Sequence, residues 1–253
     1  MITLVKKERK ELILKHVNIH SRVTFGDLSQ LLHVSEETIR RDLNELSDER
    51  LIIKIKGGAM AAGNHFSPQS EKSLRYASSS KERIARKAVS LVRDGMIVLI
   101  GGGTTVQAFI EAIPDQLRAT FVTVNPHTCI ALLNKPNLET ILIGGKVSTY
   151  SQTVIGGDAF LKLADIRADL CIMGTNAIDP TEGITDLEWE TVEIKKAMFK
   201  AAQTIAILAI AEKLNTSMKL RVCPVTTLDY LITELDASHP SLQPYLALGV
   251  KTL

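Results

Sequence analysis

Arg40 and Arg41 are adjacent cations in the stretch Ser35-Glu36-Glu37-Thr38-Ile39-Arg40-Arg41-Asp42-Leu43-Asn44. A guanidinium is a rigid fork of donors that fits a guanine edge or a phosphate. Hydroxyls such as those of Ser35 and Thr38, with the free N–H groups of a helix start, meet phosphate or base edges. Neighbours on a helix point about 100° apart, so the two arginines divide the work. One is expected to aim at guanine or phosphate, the other to grip the backbone or pair with Asp42 or Glu45. Glu36, Glu37 and Asn44 share the polar face. Lys54 and Lys56, just before Gly57-Gly58, suit a wing on the flanking phosphates.

A second group sits at Gly101-Gly102-Gly103-Thr104-Thr105. Glycines let backbone N–H groups approach an anion, the following helix adds its dipole, and the threonines add hydroxyls. The pattern is neither G-x-G-x-x-G nor a P-loop with its lysine, so a nucleotide is not indicated. Asn125, Gly144-Gly145-Lys146, Gly174-Thr175-Asn176 and Lys213 each stand just beyond a strand-like run. Ligands of open α/β sheets bind at such strand ends. Small residues with Asn, Thr and Lys suit a polyol carrying a phosphate, amides pairing with hydroxyls and lysine with the anion.

These residues need elements to hold them. Residues 9–17, with Leu12, Ile13 and Val17 at helical spacing, predict a first helix. A second starts near Thr24, whose hydroxyl can cap it, and carries Phe25, Leu28, Leu31 and Leu32. After a His33-Val34 turn, Ser35 caps a third helix with Ile39, Leu43 and Leu46 on one face. Two helices joined by a short turn can place the second in a major groove. A hairpin over residues 51–56 ends at Gly57-Gly58. From about residue 80, β-branched runs (residues 96–100, 121–124, 140–143, 169–173 and 205–210) alternate with helical stretches. That pattern predicts a mainly parallel sheet built of βαβ units. Ala, Gly, Ser and Asn enrichment between the two regions marks a linker. The expected domains are 1–58, a linker 59–74, and 75–253.

The chain has 253 residues, 45% apolar and 23% charged, which excludes a disordered or collagenous protein. Net charge is +2, too balanced to indicate nucleic acid by itself. Residues 1–58 hold 11 basic and 9 acidic residues, so placement of the cations carries the DNA argument. Cys129, Cys171 and Cys223 form no C-x-x-C pair and suit buried thiols in a reducing compartment. Neither a signal peptide nor a membrane span is expected, which points to a cytosolic protein. No metal site and no cofactor are indicated. The acidic segment from Asp179-Pro180-Thr181-Glu182-Gly183 to Glu190, with Trp189, reads as a lid over the strand-end pocket or an acidic helix start.

Val34-Ser35-Glu36-Glu37-Thr38-Ile39-Arg40-Arg41-Asp42-Leu43, followed by Gly57-Gly58-Ala59, resembles the V-S-x-x-T-I-R-R-D-L helix and G-G-A ending of the DeoR family of bacterial transcription regulators. Arg50 stands where that family usually has glycine, and Lys56 replaces a common histidine. Farther on, Lys81 with Ile84-Ala85, the G-G-T-T turn, Asn125, Gly144-Gly145, Gly156, Gly183 and Lys213 are similar to landmarks of the family's effector domain. The resemblance implies an α/β protein: an N-terminal winged helix-turn-helix plus a C-terminal mainly parallel α/β sheet domain resembling ribose-5-phosphate isomerase. It implies Thr24, Ser35, Glu36, Glu37, Thr38, Arg40, Arg41, Asn44, Lys54 and Lys56 as DNA-binding candidates. The effector candidates are Gly102, Gly103, Thr104, Thr105, Asn125, Gly145, Lys146 and Lys213, with Arg75 and Lys81 assisting from the linker side. Ile210 occupies the place of the family's aspartate three residues before the lysine, so Glu212 either substitutes or the hydroxyl acceptor is missing.

The function implied is a repressor of a carbohydrate-metabolism operon, partnered by double-stranded operator DNA and a phosphorylated sugar, and assembled as a dimer or tetramer. The alternative is a sugar-phosphate isomerase-like enzyme, which needs a carboxylate base beside a lysine. Ile210 removes one such carboxylate, so no catalytic residue is expected.

Overall fold

The computed structural model describes residues 5–20, 22–61 and 76–253. They fall into two units, Met1–Ser78 and Ser79–Leu253. Arg75, an effector candidate, lies outside the described residues, as do residues 62–74 of the expected linker.

The first unit runs α1 (Lys6–His20), β1 (Arg22–Thr24), α2 (Phe25–Leu32), α3 (Glu36–Asp48), β2 (Ile52–Ile55) and β3 (Gly58–Ala61). Ile13 and Val17 of α1, Leu28 of α2, and Ile39, Leu43 and Leu46 of α3 meet in one core. Each such side chain contributes about 2 kcal/mol on burial. The three strands form an antiparallel sheet ordered β1-β3-β2. The hairpin therefore does not end at Gly58, and residues 59–61 are strand rather than linker. Gly58 pairs with both Thr24 and Ile55, and a Cβ there would fall on the Val23 carbonyl oxygen. That close approach explains the glycine of G-G-A.

The second unit opens with α4 (Ser78–Val89), β4 (Ile97–Ile100), α5 (Thr104–Ala112), β5 (Thr120–Thr123), α6 (Pro126–Leu132) and β6 (Glu139–Leu142). It continues with β7 (Lys146–Val147), β8 (Val154–Ile155), α7 (Gly157–Ala164), β9 (Ala168–Gly174), β10 (Ala177–Asp179) and β11 (Gly183–Asp186). It closes with α8 (Trp189–Lys200), β12 (Ala202–Leu208), β13 (Leu220–Cys223), β14 (Tyr230–Ile232), α9 (Gln243–Ala247) and β15 (Lys251–Thr252). A parallel sheet of order β15-β14-β12-β9-β4-β5-β6 forms the body. Four of the expected β-branched runs are its inner strands β4, β5, β9 and β12, with Val98, Leu99, Ile100, Cys171, Ile172 and Ile207 essentially out of water, whereas the run at 140–143 forms the largely exposed edge strand β6. β4 has β5 on one side and β9 on the other. This puts the ends of three strands around the turn after β4.

The acidic segment begins in a β-hairpin and ends at a helix start, with Glu188 at the N-cap of α8. β10 and β11 pair antiparallel, and β13 joins them in a second sheet. Trp189 opens α8 and is 69% exposed. All three cysteines are free thiols. Among the described residues no helix is long and apolar enough to cross a membrane.

Candidate functional site

In the first unit, the turn between α2 and α3 is set by His33 in a left-handed conformation, φ 52°. Ser29 Oγ donates to the Val34 carbonyl at 2.6 Å and closes it. Thr24 caps α2, its hydroxyl accepting the Asp27 N–H at 3.1 Å. Ser35 caps α3, accepting the Thr38 N–H at 3.3 Å, with the two hydroxyls 3.0 Å apart. Each cap contributes about 1 kcal/mol to its helix. Thr24 and Ser35 thus both cap helices, and Ser35 and Thr38 stand at the start of a helix whose outer face is exposed.

On that face Arg40 lies over the Phe25 ring, 4.2 Å from its centroid, and 3.7 Å from Glu36. Arg41 is 3.4 Å from Glu37. The expected pairing with Asp42 or Glu45 is not formed. Asp42 holds Arg9, and Glu45 holds Lys6 and Lys10. The glutamates act as exposed i,i+4 partners, worth only about 0.5 kcal/mol each, so a phosphate can displace them. Asn44 Oδ1 accepts from Lys54 Nζ, joining the third helix to the hairpin. Lys56 is exposed at the hairpin turn, where its carbonyl accepts from Arg22 at 3.3 Å. Helix face and wing thus carry cations on one connected surface.

In the second unit, the turn after β4 meets its neighbours closely. Thr123 Oγ1 donates to the Ile100 carbonyl at 2.8 Å, and Thr128 Oγ1 to that of Gly101 at 2.9 Å. Gly103, at φ +109°, enters α5, which no side chain caps. A Cβ on Gly102 would fall on the Asn125 amide nitrogen. Asn125 is buried and already engaged: Oδ1 caps α6 through the Thr128 N–H at 3.0 Å, and Nδ2 donates to the Gln152 carbonyl at 3.1 Å. It ties the glycine turn to the segment between β7 and β8. Ser148 of that segment donates to Glu188, and Thr191 joins both Glu188 and Ser151. Thr105 is buried and Thr104 half-buried. Gly145 and Lys146 are exposed, with Lys146 3.6 Å from Glu190.

Lys213 Nζ donates to the Thr175 carbonyl, just past β9, at 2.6 Å. Loss of water, then repulsion from Lys81 and Lys195, push its ammonium down to about 7 against the attraction of Asp186. Lys81, on α4, is pushed down to about 8 by burial. Lys195 Nζ lies 2.5 Å from Asp186 Oδ2. Burial raises the Asp186 carboxyl, but Lys195, the Leu187 N–H and the Asn176 amide together hold it below the ordinary carboxylate range. The candidates Lys81 and Lys213 thus both carry ammoniums weakened by burial, and repulsion from Lys81 adds to the shift at Lys213. Lys195 and Asp186 were not legible: nine residues apart across the start of α8, they match no motif. Ile210 is buried and Glu212, at the turn that carries Lys213, is exposed. Among the described residues no group of three or more His, Cys, Asp or Glu could hold a metal.

Residues 77–235 match the family described as the DeoR C terminal sensor domain, and residues 9–64 the DeoR-like helix-turn-helix domain. The chain belongs to the DeoR family. It is 31% identical to the HTH-type transcriptional repressor GlcR of Bacillus subtilis, over 91% of this chain and 89% of that one. With the HTH-type transcriptional regulator GolR of Listeria innocua identity is 29%, over 90% of each chain. With the glycerol-3-phosphate regulon repressor of Escherichia coli it is 26%, over 92% of each. Among solved structures, the translation initiation factor eIF-2B of Pyrococcus horikoshii gives a TM-score of 0.48 at 15% identity, covering 90% of this chain and 88% of that one. Ribose 5-phosphate isomerase A of Methanocaldococcus jannaschii gives 0.41 at 16%, covering 56% of each. A DeoR-type DNA-binding domain followed by a sensor domain thus accounts for the two units.

Proposed function

We propose that this DeoR-family chain represses a carbohydrate-metabolism operon and that a phosphorylated sugar in its sensor domain sets its operator affinity. The observation that carries the reading is the outer face of α3, where Ser35, Thr38, Arg40 and Arg41 stand exposed or half-exposed beside Lys54 and Lys56. Arg40 or Arg41 reads a guanine edge while the other, with the wing lysines, holds phosphates. Repeated half-sites call for a dimer or tetramer. In the sensor domain the turn 101–105 and Lys213 hold the phosphate, and Asn125 shapes the turn. The names of the relatives, a glycerol-3-phosphate regulon repressor among them, support a phosphorylated carbon compound as effector. The protein acts in the cytosol, where operator DNA is found.

An isomerase would need a free carboxylate base beside Lys213. Asp186 is spent on Lys195 and Glu212 is exposed, which supports a regulator over an enzyme. The test is Arg40→Ala with Arg41→Ala. Operator affinity should fall more than a hundredfold, and the slope of log affinity against log salt should shrink by about 2, with the fold intact by circular dichroism. Unchanged affinity and slope, or sugar-phosphate turnover at catalytic rates, would overturn the reading.

A further inference from the structure

Ile39, Asp42, Leu43 and Leu46 are the buried residues of α3 and set the side that faces the core. At about 100° per residue, Arg41 points within about 30° of the opposite, outward direction, whereas Arg40 leans about 70° to one flank. That flank is occupied. Arg40 lies over the Phe25 ring, 4.2 Å from its centroid, and its side chain is 50% exposed. Phe25 opens α2, is 6% exposed, and donates its N–H to the Gly57 carbonyl of the hairpin turn at 2.9 Å. Asn44, on the same side of the outward direction, accepts from Lys54 of β2. Arg41 is 75% exposed, with the exposed Glu37 at 3.4 Å.

A helix lying in a major groove turns its outward direction to the base edges and its flanks to the phosphate walls. Arg41 therefore faces bases and Arg40 a wall. A guanidinium stacked on an aromatic face is held in one orientation, its donors still open around the edge of its plane. Arg40 is thus fixed before DNA arrives, on the side where Lys54 also stands. It cannot swing to the groove floor without leaving the ring. Fixing a long side chain in advance lowers the ordering cost of binding. The bond from Phe25 to Gly57 ties the ring to the hairpin turn, so Arg40 and the wing keep one spacing.

We propose that Arg41 is the base-reading arginine of α3, taking the O6 and N7 of a guanine, and that Arg40 is a phosphate clamp positioned by Phe25. The inference rests on the proposed DNA binding and assigns a separate role to each arginine within it. Phe25 is buried and acts through Arg40 as a positioning residue. Sequence preference then belongs to Arg41, while Arg40 and its ring supply affinity that is the same for every sequence.

The full chain is incubated with a duplex library randomised over two half-sites, and the bound fraction is sequenced. The wild type should select a guanine in each half-site that Arg41→Ala no longer selects, the preference there falling about tenfold and the other positions keeping theirs. Arg40→Ala should keep every base preference and bind the selected duplex and its substituted versions more weakly by one common factor. Phe25→Leu and Phe25→Met keep an apolar side chain in the core, and circular dichroism checks their fold. Each should weaken binding about threefold without changing base preference, and should weaken it no further when combined with Arg40→Ala. A ring that served only the core would weaken binding alike in both backgrounds, and that result would overturn the positioning role. Guanine selection lost in Arg40→Ala, or kept in Arg41→Ala, would overturn the assignment of the two arginines. Both results leave DNA binding standing. A wild-type chain that binds no duplex would overturn the DNA-binding reading itself and the proposal with it.

Discussion

Arg9 of the first helix grips Asp42 of the third through two bonds, Nε to Oδ2 at 2.5 Å and Nη2 to Oδ1 at 3.1 Å. Asp42 is 1% exposed. It faces inward, away from Arg40 and Arg41, so the aspartate of the R-R-D motif braces the domain instead of neutralising its DNA face. Asp42→Ala removes the carboxylate that grips the Arg9 guanidinium and should cost about 2 kcal/mol. Urea unfolding of the full chain, following the first unit, would measure this. A change under 0.5 kcal/mol would mean that the pair is not a brace.

Arg50 sits in the left-handed region at φ 58°, its N–H donating to the Ser47 carbonyl at 2.9 Å as α3 ends. A side chain there costs about 1 kcal/mol relative to glycine. Arg50→Gly should therefore stabilise the first unit by about 1 kcal/mol, with DNA affinity changed only by the loss of one exposed cation. A destabilised variant would show that the Arg50 side chain outweighs the strain.

Gly102 and Asn125 fit only without a Cβ between them. Gly102→Ala should push the Asn125 amide off the Gln152 carbonyl, cost about 2 kcal/mol by overpacking, and remove the response to sugar phosphates. Thermal shifts with and without ligand separate the two effects. A variant that responds normally would show that Asn125 does not shape the site.

The empty sensor domain should grow more stable as pH rises above 7. Lys213 titrates near 7 in the folded chain and at the ordinary 10.5 when unfolded. Between these values the unfolded chain binds the extra proton, so stability rises with pH. Below 7 both forms are charged and the slope from this group ends. Melting temperature from pH 7 to pH 9 should climb in the wild type and climb less in Lys213→Met. The same slope in both would contradict the placement of this lysine.

Much of this was legible in the residues themselves. The caps Thr24 and Ser35, the stripe Ile39, Leu43 and Leu46, and the parallel strands follow from local periodicity and capping chemistry, which act over a few residues. What escaped depends on contacts between distant segments. Arg9 meets Asp42 across 33 residues, and β3 extends to Ala61 because β1 pairs with it. Residues 177–186 form a hairpin because β13, far along the chain, supplies a third strand. Lys195 and Asp186 pair across the start of α8 at a spacing that matches no motif. The Arg50 glycine preference was visible as a departure, but its cause is a dihedral angle.

The central claim is that a phosphate-bearing ligand in the sensor domain alters DNA binding by α3. Fluorescence anisotropy on a labelled fragment from upstream of the chain's own coding sequence tests it directly, with and without each member of a phosphorylated-sugar panel. At least one sugar phosphate should change the dissociation constant tenfold or more, about 1.4 kcal/mol of coupling, and Lys213→Ala should keep the ligand-free affinity but lose the change. An affinity indifferent to every sugar phosphate, or a Lys213→Ala chain that responds as the wild type does, would contradict the account.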